Sequence, residues 1–223
     1  RKAFLYASKI FSVSTKAIDS FNDLSKTIRS IGEDETDSTA LYLDKGSVVV
    51  GFTRDSRRFE NSVGGVGEWG GWSDNVRAVF DRPVNCEDSK ACICLCRDYE
   101  LDTKKNPFLS KCDKPVCSSF ENIDFLPQMV LKKDGEHLTS YWSGGFMYAR
   151  DVSSDANQGI DTQAIESGLT DTEVNNKNPT RTMYIQRYRN YVGVCPTSPC
   201  IDDTLKQKLI RDKEGNIELP ATP

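Results

Sequence analysis

Cysteine is the residue type whose spacing says most about chemistry in this chain, occurring as Cys86, Cys92, Cys94, Cys96, Cys112, Cys117, Cys195 and Cys200. The run Cys92-Ile93-Cys94-Leu95-Cys96 alternates with a period of two, so as a strand it places three sulfurs on one face. Neighbours at that spacing seldom bridge each other. Their partners are expected among Cys86, Cys112 and Cys117, with Cys195 and Cys200 closing the short turn Pro196-Thr197-Ser198-Pro199. The individual pairings stay open, because six cysteines admit many connectivities. The rival chemistry is a zinc or iron–sulfur cage. The usual Cys-x2-Cys knuckle is absent, however, and His137 is the only histidine, so bridges are the better reading. Thiol redox catalysis would also need a Cys-x-x-Cys pair.

Other residues suggest binding more than catalysis. Trp69 and Trp72 sit in the glycine-rich stretch Gly64-Gly65-Val66-Gly67-Glu68-Trp69-Gly70-Gly71-Trp72, and Trp142 ends a candidate strand. Indoles on freely shaped backbone stack on sugar rings or grip a partner; the plainer reading is that they cover a core edge. No Gly-Lys-Ser/Thr follows, so a phosphate cradle is not indicated. Asp155, Asn157, Asp161 and Glu166 imitate part of an oxygen-ligand calcium loop, making calcium the one cofactor the spacing suggests. The sharp-turn position there holds Ile160 instead of glycine, and an ordinary acidic loop fits as well. A hydrolytic triad would rest on His137 alone, and carboxylate pairs cannot be located from sequence. A noncatalytic role is therefore the primary expectation.

The elements that must position these residues change character along the chain. Phe4, Ala7, Phe11, Ile18, Phe21, Leu24, Ile28 and Ile31 recur at helical spacing, predicting one amphipathic helix over 1–32 with Gly32 as its cap. An acidic linker is expected over 33–39. The remainder, 40–223, then reads as a disulfide-rich β domain. Three hairpins are predicted: Leu41–Leu43 with Val48–Phe52, Met129–Leu131 with His137–Trp142, and Leu209–Arg211 with Ile217–Leu219. Val76–Phe80, Ala91–Cys96, Gly145–Tyr148 and Thr182–Val194 are further strands, the last broken at Arg189-Asn190, and a short helix is expected near Asp203–Leu209. The segment near 151–179 reads as a polar insertion. The expected class is α+β: a long N-terminal helix followed by a mainly antiparallel β domain stapled by disulfides.

The whole chain has 223 residues, 28% of them charged, with a net charge of −4, which argues against nucleic acid as a partner. Its longest apolar runs, such as Val48–Phe52, are far too short to span a bilayer. Oxidised cysteine pairs persist outside the cytosol, so an extracytoplasmic location is expected, at the cell surface or secreted, and a signal peptide or membrane anchor is expected upstream of Arg1. No usable Asn-x-Ser/Thr acceptor is present, since Asn178 precedes Pro179, which disfavours a heavily glycosylated ectodomain.

The Phe4–Ile31 stripe together with the Cys195/Cys200 pair loosely resembles soluble domains of prokaryotic pilin-like or envelope-anchored proteins. That resemblance implies a structural or interaction subunit, anchored or self-assembling through Phe4, Phe11, Ile18, Phe21 and Ile28, with a second copy or an envelope protein as partner. The alternatives are a carbohydrate-binding module, with calcium support, and a secreted hydrolase using carboxylates.

Overall fold

Ser14 marks where the first helix starts. Its backbone is extended (φ −61°, ψ 151°), and its hydroxyl accepts the Ala17 N–H at 3.3 Å. Both its own N–H (2.7 Å) and its hydroxyl (3.0 Å) donate to the Asp44 carboxylate, so the cap is itself pinned by a distant side chain. The computed structural model of the chain describes residues 14–44, 47–66, 72–97, 109–110, 112–132, 139–149, 180–195 and 198–212. Within them helix α1 covers Thr15–Ser30. An extended residue at 14 cannot continue a helix, so the single helix predicted over 1–32 is corrected to one that begins at Thr15; Phe4 and Phe11 lie outside the described residues. Its end also falls before Gly32, because Ile31 is already extended (ψ 126°). The Ile31 carbonyl accepts from Arg187 Nη1 at 3.0 Å and the Gly32 N–H donates to Glu35 at 2.8 Å, so these groups beyond the last turn are satisfied.

The strands follow as β1 (Thr36–Tyr42), β2 (Val48–Phe52), β3 (Arg58–Val66), β4 (Trp72–Asp81), β5 (Ala91–Arg97), β6 (Leu109–Ser110) and β7 (Asp113–Phe120). Then come β8 (Asp124–Phe125), β9 (Gln128–Lys132), β10 (Thr139–Ser143), β11 (Gly145–Ala149), β12 (Thr180–Tyr188) and β13 (Tyr191–Cys195), before helix α2 (Asp203–Asp212). They form three sheets, in the orders β1-β12-β13-β8, β6-β4-β3-β10-β9 and β11-β2-β5-β7. Pairing is antiparallel except at two short contacts, β13 with β8 and β4 with β6. The protein is thus mostly antiparallel β structure held by four disulfides, with little helix.

Of the predicted hairpins, β9–β10 forms, with Trp142 opposite Met129. The first does not: β1 pairs with β12, whereas β2 pairs with β5 and β11, so the segment around Asp44 joins two sheets. Residues 36–39 of the predicted linker belong to β1, which leaves Glu33–Glu35 as the turn. The third also fails, because Leu209–Arg211 lies in α2, capped by the Asp202 carboxylate accepting the Leu205 N–H at 2.7 Å; residues 217–219 are outside the described set. The break at Arg189-Asn190 is the turn between β12 and β13, and Arg189 there takes φ 56°.

β5 is central to its sheet and buried on both faces, from Ala91 to Cys96. Alternation puts Ala91, Ile93 and Leu95 on one side and the three cysteines on the other. Arg29 of α1 lies 5.2 Å above the ring of Phe120, which is paired with Ala91, so α1 covers the aliphatic side. Phe21, Leu24 and Ile28 are fully buried there, each stabilising by roughly 1.5–3 kcal/mol through burial. On the same side Phe146 lies across Gly51, where an added Cβ would sit 2.2 Å from its ring. Phe120, Phe125, Phe146 and Tyr148 continue as an aromatic row with centroid spacings of 5.8, 5.0 and 5.8 Å. Tyr148 ends it by donating its hydroxyl to the Val194 carbonyl at 2.7 Å, tying the β2–β5 sheet to the β12–β13 sheet.

Candidate functional site

The other face of β5 carries the densest reactive chemistry among the described residues. Cys92 bridges to Cys86 in the preceding loop, Cys94 to Cys117 directly opposite it on β7, and Cys96 to Cys112 just before β7. Cys195 closes on Cys200. All eight cysteines are accounted for in these four bridges. The outward direction of bonding follows from geometry: sulfurs two residues apart on a strand face sit side by side, so each bonds away from the strand, Cys92 to the preceding loop and Cys94 and Cys96 to the β7 side.

Two of the bridges lie against one another. The Cys86 and Cys94 sulfurs, which are not bonded, are 3.2 Å apart, and those of Cys92 and Cys94 are 3.7 Å apart. The four sulfurs of Cys86, Cys92, Cys94 and Cys117 all fall within 4.8 Å of one another. Cys86, Cys92 and Cys94 are buried, and Cys117 is half-buried at the rim.

The loop that supplies Cys86 is held by Arg82. Its Nη1 donates to the carbonyls of Thr53 (2.8 Å), Arg54 (3.3 Å) and Ser56 (3.3 Å); its Nη2 donates to Glu87 (2.7 Å) and to Lys90. Burial lowers its pKa from the ordinary value, offset in part by Asp88 and Asp124. Arg54 acts similarly on the carbonyls of Glu121 (2.7 Å) and Ile123 (3.3 Å), and Arg187 on those of Ile31 and Arg189. These arginines are carbonyl clamps between loops, a use of the planar five-donor guanidinium that no residue spacing announces.

A cavity of about 580 Å³ opens beside this loop with Cys86 in its wall. Three arginines, 57, 58 and 82, and three acids, 81, 87 and 88, line it, so their charges balance and it favours neither anion nor cation. Asp124 is an acid whose pKa burial pushes up, but its carboxylate accepts the N–H groups of Arg54 and Phe125, each at 2.8 Å, and it does not line this cavity. Those two bonds fix the start of β8.

The expected binding residues are dispersed. Trp72 begins β4 opposite Val66, and Trp142 lies on β10 opposite Asn61. These partners are five positions apart on β3, roughly 17 Å at the rise of an antiparallel strand, so the register does not set the two tryptophans side by side. Trp69, the calcium candidates Asp155, Asn157, Asp161 and Glu166, and His137 lie outside the described residues. Among the assembly candidates, Phe21 and Ile28 are fully buried in the chain's own core and Ile18 packs against it half-buried. No described helix is long and apolar enough to cross a membrane.

No family model, curated protein or solved structure matches the chain.

Proposed function

We propose that this chain is a noncatalytic, extracytoplasmic structural or interaction subunit of a cell envelope, of the pilin-like kind, anchored or assembled through the segment that precedes α1. The observation that carries this reading is the complete pairing of eight cysteines in a chain that already has an extensive apolar core. Such a chain has little need of staples for folding alone, and a reducing compartment would remove them. Arg54, Arg82, Arg187 and the raised-pKa carboxylate of Asp124 are spent on backbone groups, which favours a scaffold over a hydrolase.

With Phe21 and Ile28 enclosed by their own domain, the side chains free to anchor or assemble are sought at Phe4 and Phe11. Charged substitutions there, Phe4→Asp with Phe11→Asp, should abolish envelope association or self-assembly while leaving the circular dichroism spectrum and the four bridges unchanged. Unaltered fractionation and oligomeric state would remove the anchoring role. Location is tested separately by intact mass of protein alkylated without prior reduction: cysteines blocked in freshly lysed cells would overturn the extracytoplasmic reading.

A further inference from the structure

We propose that the quartet Cys86, Cys92, Cys94 and Cys117, when reduced, is a preformed tetrathiolate site for a soft divalent cation of the zinc type, so that one cluster of sulfurs has two exclusive chemistries set by redox state. This goes beyond the envelope-subunit reading and does not depend on it.

The geometry is the first ground. Four thiolates around zinc at about 2.3 Å stand about 3.8 Å from one another. The two close nonbonded separations in the quartet are 3.2 and 3.7 Å, and no pair exceeds 4.8 Å. Opening the two bridges therefore requires each bonded pair to part by under about 2 Å, within reach of side-chain rotation. The ligands come from three differently supported segments: the Arg82-clamped loop, β5 and β7. Cys94 and Cys117 are in direct register, and Cys92 is one alternation away on the same face, so the sheet itself sets three of the four positions.

Composition is the second ground. Hard cations prefer carboxylate and carbonyl oxygens, whereas an all-sulfur set selects zinc, cadmium or monovalent copper. Burial of three ligands excludes water and leaves no open coordination position, which makes the site structural and not catalytic. The remaining bridges, Cys96–Cys112 and Cys195–Cys200, are separate from the quartet.

The balance is simple. A dithiol reductant supplies four electrons and four protons to two disulfides, giving four thiols and two equivalents of oxidised dithiol. Binding one M²⁺ then releases the four protons, leaving a complex of charge −2. A disulfide oxidant reverses the cycle, re-forming the bridges and expelling the cation.

The test uses the full chain, reduced anaerobically and titrated with Co²⁺, then Zn²⁺. The proposal expects one Co²⁺ per chain with thiolate-to-metal charge-transfer absorption that Zn²⁺ abolishes. Bound Zn²⁺ should shield Cys86, Cys92, Cys94 and Cys117 from alkylation while Cys112 and Cys200 still react. Cys94→Ser should weaken binding at least about tenfold, and Cys96→Ser should leave it unchanged. Absence of the absorption, protection spread evenly over all eight cysteines, or equal affinity in the two variants would each overturn it. The even spread is also the signature of a reduced chain that binds metal only as an unfolded coil.

Discussion

Single side chains in this protein are used mainly to satisfy backbone groups at the seams between sheets. Tyr148 is buried, with its phenol pKa pushed up by desolvation, and its hydroxyl donates to the carbonyl of Val194, which is paired with β12 but lies beyond the two-residue pairing with β8. Tyr148→Phe keeps the ring in the aromatic row but leaves that carbonyl dry, so a loss of about 1–2 kcal/mol is expected from the urea midpoint. Asp124 gives a pH signature. Its folded pKa is raised, chiefly by desolvation, so the unfolded chain ionises it at lower pH than the folded one. Its contribution to stability is therefore fully present below the ordinary carboxylate pKa and is lost as pH rises through the raised folded value. Asp124→Asn retains an oxygen to accept the Arg54 and Phe125 N–H groups, so the variant should melt higher than wild type at pH 7. The gap should close on acidification to about pH 3; a gap independent of pH would mean the carboxylate charge carries no cost.

At the scale of elements, helix α1 illustrates what sequence conveys and what it omits. The spacing of Ile18, Phe21, Leu24 and Ile28 predicts the helix and its apolar face; the structure buries Phe21, Leu24 and Ile28, leaves Ile18 half-buried, and buries Ala17, which the stripe had omitted. It does not disclose the start, because Ser14 as cap is selected by Asp44, thirty residues away. Ser14→Ala should cost about 1 kcal/mol, against about 3–5 kcal/mol for Phe21→Ala, both measured by chemical denaturation. A reversed order would mean the cap matters more than the core face. Strand β5 was legible because its alternation and its cysteines coincide, and the β9–β10 hairpin because a local turn signal sets its register. β1 was misread as linker and as half of a hairpin, since its residues are polar and its partner, β12, lies far along the chain. Leu209–Arg211 was misread because three residues do not distinguish a period of two from one of 3.6, and the Asp202 cap decides for helix. The cysteine partners were confined to the right set by sequence, while the stacking of two bridges into a quartet needed the register of β5 with β7.

Across the molecule the bridges are unevenly placed. Three lie between Cys86 and Cys117, and the fourth closes a loop of sequence separation 5 near the C-terminal end of the described region. Chain-entropy reasoning assigns about 3 kcal/mol to the Cys96–Cys112 closure, of separation 16, and about 2 kcal/mol to Cys195–Cys200. Paired alanine substitutions should follow that order in thermal melting, each with a further loss from buried sulfur, since Cys96, Cys195 and Cys200 are all buried. No bridge connects residues before 151 to residues after 179.

Yet β12 and β13, which follow the 151–179 segment, are the middle strands of a sheet whose edges, β1 and β8, precede it. Two segments that no disulfide joins are therefore woven through one sheet. A protease cut within 151–179 would release two pieces on a nonreducing denaturing gel, whereas a cut between Cys96 and Cys112 would release none. Expressed apart, a fragment ending near residue 150 would have a vacant slot two strands wide between β1 and β8, and a fragment beginning near residue 180 would be the insert shaped to fill it. Such a molecule could be divided and reconstituted by strand complementation, with refilling of that slot as the step that restores its fold.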